Sequence, residues 1–131
     1  MAMKKYHINN LTLTNSVYTF TKPDPKMISI TVEDTIKIIE VQEKEIVLCI
    51  GRELNFGKGT DSFIKVEYEV SVESKDNETR ESVLAALTAG VSELSVAFSK
   101  ISLLISQLTQ ASPFGVLVTA PNYNPKKAQI S

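Results

Sequence analysis

SFIKVEYEVSVES, residues 62–74, runs through the turn KDNE, 75–78, into TRESVLAALTAGVSELSVAFSKISLLISQLTQ, 79–110. In the first segment Ile64, Val66, Tyr68, Val70 and Val72 share one side, and Lys65, Glu67, Glu69, Ser71 and Glu73 share the other. A period of two marks a strand with one face in a core and one in water. Beyond the turn the period lengthens to that of a helix. Leu84, Leu87, Val91, Leu94, Phe98, Ile101, Ile105 and Leu108 follow one another by alternating threes and fours. The spacing predicts one long helix over 79–110, with Asn77 or Thr79 as its N-cap and Glu81 in its first turn.

Working back from this strand, the chain reads as three more, rich in Thr, Val, Ile and Tyr. Residues 6–20 form one extended stretch whose alternation changes phase at Asn9-Asn10: Tyr6 and Ile8 point one way, Leu11 and Leu13 the other. A β-bulge there would account for the slip, since one extra residue flips every later side chain. Pro23 and Pro25 end the stretch. A second strand starts at 27–32 and continues toward Val41, and a third covers 45–56. Gly57-Lys58-Gly59-Thr60-Asp61 turns the chain into the fourth strand. Working forward, Ser112-Pro113 stops the helix, residues 114–119 are a short apolar extended segment closed by Pro121, and the polar residues 124–131 are expected to be a flexible tail. The predicted class is α+β: a four-stranded antiparallel sheet, one long helix, and a short C-terminal extended segment.

Two features predict self-association. Residues 46–50, Ile-Val-Leu-Cys-Ile, are apolar on both alternating faces. One helix covers one face only, so the other is expected to meet a partner subunit or another part of this chain. The helix would be a rod of roughly 45 Å, longer than the roughly 34 Å of a ten-residue strand. Ala97, Leu103 and Leu104 widen its apolar stripe, so its seam is expected to contact a neighbour's helix as well as its own sheet. Gly90 weakens a helix interior by about 1 kcal/mol relative to Ala, and close approach of a neighbour would explain it.

The composition fits one domain spanning 1–131: 131 residues, 43% hydrophobic and 22% charged. A formal charge of −1, from 14 basic and 15 acidic residues, offers no field for nucleic acid or an anionic membrane. No apolar h-region follows Met1-Ala2-Met3-Lys4-Lys5, no run of 18 apolar residues occurs, and Cys49 has no partner for a disulfide. A cytoplasmic protein is expected.

The residues of catalysis are missing as a set. His7 and Cys49 are single, so no Cys/His metal cluster is expected and no cofactor is implied. No serine sits in a Gly-x-Ser-x-Gly turn. The stretch from Gly51 to Thr60 has five residues between its first glycine and Gly57-Lys58 where a phosphate loop has four, and Gly59 stands where Ser or Thr belongs. It reads as a hairpin turn. Glu67, Glu69 and Glu73 share a strand face with Lys65. They read as a solvated face, or as an acidic docking surface for a basic partner. The expectation is a non-enzyme.

The order of elements resembles the SecB export chaperones. The first strand ends Phe20-Thr21-Lys22-Pro23-Asp24-Pro25, similar to the family's Phe-x-x-Pro followed by another proline. Ser112-Pro113-Phe114-Gly115-Val116-Leu117-Val118-Thr119-Ala120-Pro121-Asn122-Tyr123 is similar to the family's helix end, short apolar run, and closing Ala-Pro, Asn and aromatic. The resemblance implies a holdase for protein export. Such a protein is a homotetramer built as a dimer of dimers, with helices packed between the dimers, and holds unfolded polypeptides in apolar grooves. It further implies Tyr18, Phe20, Phe114, Leu117 and Tyr123 as client-binding residues. Two departures, a continuous helix and a short lysine-bearing tail, argue against docking to the SecA motor and for other clients, such as an aggregation-prone antitoxin. The alternative is a structural or adaptor oligomer, of phage or mobile-element origin, assembled through Leu84, Leu87, Val91, Leu94, Phe98, Ile101, Ile105 and Leu108 without chaperone activity. A small-ligand cup is a third reading and would need a polar constellation inside a pocket.

Overall fold

The computed structural model describes residues 5–19, 30–56, 62–110, 112 and 115–131. Its strands are β1 (Tyr6–Tyr18), β2 (Thr31–Gln42), β3 (Glu45–Asn55), β4 (Ser62–Ser74) and β5 (Gln129–Ile130). They form one sheet in the order β1-β4-β3-β2-β5, antiparallel except where β5 runs parallel to β2. Pro23, Pro25, residues 27–29 and the turn at 57–61 lie outside the described residues. β4 carries the alternation seen in the sequence: Ile64, Val66, Val70 and Val72 are buried under the helices, and Glu69 and Glu73 are exposed on the other side.

The phase slip in β1 is a bulge. Between Ile8 and Asn10 the register against β4 shifts by one, so Tyr6, Ile8, Leu11 and Leu13 all lie opposite helix-side residues of β4: Ser74, Val72, Val70 and Tyr68. A second bulge, between Leu13 and Asn15, puts Ser16 and Tyr18 opposite Val66 and Ile64. Val17 is turned to the open face, 45% exposed.

The helical part corrects the expectation of a single rod. Helix α1 (Arg80–Ala89) and helix α2 (Ser95–Leu108) are joined by a 3-10 turn (Ser92–Leu94) and bend by 77°. The break falls at Gly90, whose φ of 113° and ψ of 122° belong to glycine alone. Heptad spacing runs across the break because both helices present the same seam to the same sheet. α1 lies over β2 and β5, and α2 over β4 and β1. Leu87, Val91, Leu94, Phe98, Ile101 and Ile105 are buried in this chain's own core with Ile36, Leu48, Ile50 and Val70. Leu84 is 37% exposed and Leu108 half-buried. Among the described residues no single helix is long and apolar enough to cross a membrane.

Two further expectations are corrected. The sheet has a fifth strand and is mixed. The segment 124–131, expected to be flexible, makes a turn at 125–127 and then supplies β5. It is held because Ile130 is half-buried on the core, and because Ser131 hydrogen-bonds Ile36 and Ile38. The open face of β3 has no second layer among the described residues. Val47 and Cys49 are half-buried there without an overlying element.

A polar clamp ties the start of β1 to the start of α1. Glu78 is 8% exposed; it accepts the Tyr6 hydroxyl at 2.7 Å and the Ser82 hydroxyl at 2.9 Å and pairs with Lys5 Nζ at 3.2 Å. Thr79 caps the helix by accepting from Ser82 N at 3.1 Å, while its own N–H donates to Ser82 Oγ at 2.9 Å. Burial alone would push the Glu78 carboxyl up, but the hydroxyls of Tyr6 and Ser82 and the charge of Lys5 hold it below its ordinary value. Burial and then Glu78 push the Tyr6 phenol well above its ordinary range.

Linkage gives each group a sign. A depressed carboxyl stabilises the fold above its unfolded pKa of about 4.5 and loses that stability as pH falls through the lower folded value. A raised phenol stabilises fully below about pH 10 and loses that as pH climbs further. Urea midpoints plotted against pH are expected to be flat from about 4.5 to about 9, where the Cys49 thiol, raised by burial, starts to add to the alkaline loss, and to fall on both sides. In Glu78→Gln the acid arm is expected to flatten; an acid arm unchanged by the substitution would mean the clamp is not the source.

Candidate functional site

β2 is an edge strand over half its length. The Ser131 N–H donates to the Ile36 carbonyl at 3.0 Å, and the Ile38 N–H donates to the Ser131 carbonyl at 2.8 Å. Ile36 and Ile38 therefore aim their main-chain groups away from β3. By the alternation of a strand, so do Val32 and Asp34. β5 begins only at the level of Thr35, and no described strand lies beyond it.

Facing this free stretch is the extended segment 115–122, which returns along α2. Three helix serines hold its alternate carbonyls: Ser106 Oγ donates to Leu117 O at 2.9 Å, Ser102 Oγ to Thr119 O at 2.8 Å, and Ser99 Oγ to Pro121 O at 3.4 Å. Serines three and four apart line one flank of a helix, and carbonyls two apart line one side of an extended chain. The two therefore match, and the strap runs antiparallel to α2. Thr109 Oγ1 accepts the Leu117 N–H at 2.9 Å and closes the far end. Because 117 and 119 face the helix, Val116 and Val118 turn outward, 52% and 84% exposed.

Arg52 fixes how far the strap stands from β2. It lies on the helix side of β3, in phase with Leu48, Ile50 and Leu54, and is 1% exposed. Its Nε and Nη2 grip the two oxygens of Asp34 at 2.6 and 3.0 Å. Nη1 donates to Thr119 Oγ1 at 2.8 Å and Ala120 O at 2.6 Å, and Nη2 to Asn122 O at 3.3 Å. All of the guanidinium's N–H groups are thus used, and the ring of Phe98 lies 5.3 Å beneath it. Between β2 and the strap remains a cavity of about 470 Å³, lined by Val32, Asp34, Val118, Ala120, Lys127 and Gln129. Val32, Val118, Ala120 and Ala128 stand among polar and charged side chains, Glu33, Asp34 and Lys127 included, beside an open strand edge, an arrangement that suits an extended polypeptide.

The expected client residues fall in different places. Tyr18 is half-buried at the end of the row Tyr18, Ile64, Leu54, Val32 that crosses the sheet to the groove. Leu117 is a half-buried strap residue. Tyr123 is buried, its ring 5.5 Å from that of Phe98, and works as a clasp over the helix break. Its hydroxyl donates to Leu87 O at 2.7 Å and accepts from Val91 N at 2.9 Å. Phe20 and Phe114 lie outside the described residues.

Of the expected acidic face, Glu69 and Glu73 are exposed, but Glu67 is engaged by Asn15 at 3.1 Å and Lys65 at 3.7 Å. Cys49 Sγ lies 3.8 Å from Glu67 Oε2, and burial followed by that charge pushes its thiol up, away from thiolate chemistry. Among the described residues no group of three His, Cys, Asp or Glu is placed to hold a metal ion.

Sequence reasoning missed Arg52, Asp34 and the strap serines. The signals were an arginine in phase with an apolar strand face, and serines at 99, 102 and 106 inside a helix, where they are unfavourable without a partner.

No protein-family model matches the sequence, and no curated protein does. Solved structures do match the fold. The SecB-like chaperone Rv1957 of Mycobacterium tuberculosis, in complex with a ChAD peptide from the HigA1 antitoxin Rv1956, superposes with a TM-score of 0.60 at 16% identity, covering 91% of this chain and 88% of that one. A protein of unknown function from Streptococcus agalactiae superposes with a TM-score of 0.50 at 7% identity, covering 91% and 99%. At such identities the likeness is one of architecture, and that architecture is a SecB-like α+β fold.

Proposed function

We propose that the chain is a non-enzymatic, SecB-like holdase of the cytoplasm that takes extended apolar segments of unfolded polypeptides. The observation that carries this reading is the groove between β2 and the strap: exposed Val32 and Val118 both line it, beside a strand edge that pairs with no described strand. Extended peptides add to such edges through main-chain hydrogen bonds, which read no particular sequence, while Val32 and Val118 offer apolar contact to hydrophobic side chains. The SecB-like neighbour's bound antitoxin peptide points to the same client class. Six of the residues expected to join two helices, Leu87, Val91, Leu94, Phe98, Ile101 and Ile105, are occupied inside the chain's own core, so a homo-oligomer would use the outer side of α2. Val96 and Leu103, 52% and 59% exposed and two turns apart, lie there.

The test is light scattering of the protein alone and with reduced, carboxymethylated α-lactalbumin, a permanently unfolded chain. An oligomer that takes up this client, and suppresses aggregation of a second denatured protein, supports the reading. An oligomer that ignores both clients would sink it and leave the structural or adaptor oligomer. Val96→Lys with Leu103→Lys is expected to lower the mass without unfolding the protomer.

A further inference from the structure

We propose that the chain regulates its own groove: residues 129–131 occupy part of the β2 edge as a built-in competitor that a client strand must displace. This rests on the groove being the client site.

The geometry for it is complete on one side of β2. The row of outward main-chain groups runs through Val32, Asp34, Ile36 and Ile38. Its second half is taken by Gln129–Ile130 in parallel pairing with Thr35 and Ile36, and by both main-chain hydrogen bonds of Ser131. Its first half opens on the cavity. Gln129 lines that cavity, so the tail enters the edge from inside the groove. With the tail docked, an incoming strand finds only residues 31–34; with the tail released, it finds the edge as far as the Ile38 N–H, the Ile38 carbonyl staying with Arg80 Nη1 at 3.1 Å. The tail also shows what the edge accepts, a parallel extended segment with an apolar side chain where Ile130 packs half-buried on the core.

The tail is held by little: its strand is two residues long, and Ser131 adds two main-chain hydrogen bonds to the half-buried Ile130. It is preceded by the turn at 125–127, where Lys127 N and Ala128 N both donate to Asn124 O at 3.0 and 2.9 Å, a natural pivot. The core beneath β2 does not rest on it alone, since α1 also packs on β2 and Arg80 Nη1 donates to Ile38 O at 3.1 Å. When only part of the population has an open edge, the apparent affinity for a client falls by that fraction.

The experiment measures binding of fluorescein-labelled, reduced and carboxymethylated α-lactalbumin to the full chain, to a chain ending at Ala128, and to Ile130→Lys. Both altered chains are expected to bind more tightly than the full chain, by about fivefold or more. In parallel, exchange of the Ser131 amide is followed in the full chain, where it is expected to be protected and to lose protection when the client saturates. Equal or weaker binding by both altered chains, or a Ser131 amide that stays protected under saturating client, overturns the competitor while leaving the holdase standing. Failure of all three chains to bind removes the holdase reading and the competitor with it. The exchange measurement uses the unaltered chain and decides the matter even if truncation unfolds the protein.

Discussion

Arg52→Met is expected to destabilise the fold by about 3–5 kcal/mol, the range for removing one partner of a buried charge pair. Methionine fills much of the same space, so the loss would come from the polar partners. Asp34, its side chain 11% exposed, keeps a carboxylate with no cation, and Thr119, Ala120 and Asn122 lose the donor that holds the strap. Urea unfolding followed by circular dichroism gives the number. The companion Arg52→Met with Asp34→Leu is expected to recover a good part of the loss, because no buried charge is then left over. A single substitution costing under about 1 kcal/mol would mean that water reaches the guanidinium site and that the strap is not anchored there. In the proposed holdase, client binding is expected to fall along with stability, since the same arginine sets the width of the groove.

Phe98→Ala comes next, at about 3–5 kcal/mol. Phe98 is 0% exposed at the point where α2, the strap and the sheet converge, with Tyr123 on one side and Arg52 above its face. Truncation removes the ring and leaves a void that rigid neighbours close only in part. Folded domains are stable by roughly 5–15 kcal/mol, so a loss of this size brings the protein near to unfolding. Phe98→Leu is expected to cost far less. Because Phe98 and Arg52 touch, the double variant should lose less than the sum of the two. Strict additivity would show that the ring and the guanidinium do not interact.

The parts of this fold that a single sequence reveals are those in which side-chain period alone carries the information. The alternation of β4 gives Ser62 to Ser74, the bounds the structure has, and the slip at Asn9-Asn10 reads directly as a bulge. Thr79, one of the two N-cap candidates beside Asn77, and Glu81 in the first turn are also legible. The helix break is not, because Leu87, Val91, Leu94 and Phe98 keep helical spacing through it while the direction of the axis changes. Gly90 stands out as a weak point, but spacing reports which face is apolar and not where the axis points. β5 is invisible for a different reason: two residues have no period, and their place is set by the edge they meet. The groove combines both difficulties, since its walls come from residues 32–34 and 118–129, which nothing local brings together. The arginine among apolar positions of β3 and the serines at 99, 102 and 106 are its local signs.

The two bulges of β1 bear on how this protein tolerates change in length. In a regular strand, loss of one residue turns everything beyond it inside out. Asn9 and Thr14 are the extra residues at the two register shifts, so deleting either removes its own bulge, leaves the other, and keeps Leu11, Leu13, Ser16 and Tyr18 on the faces they have now. Drift by single-codon deletion is thereby steered to two sites, and descendants of this chain are free to differ in the length of their first strand while sharing its interior.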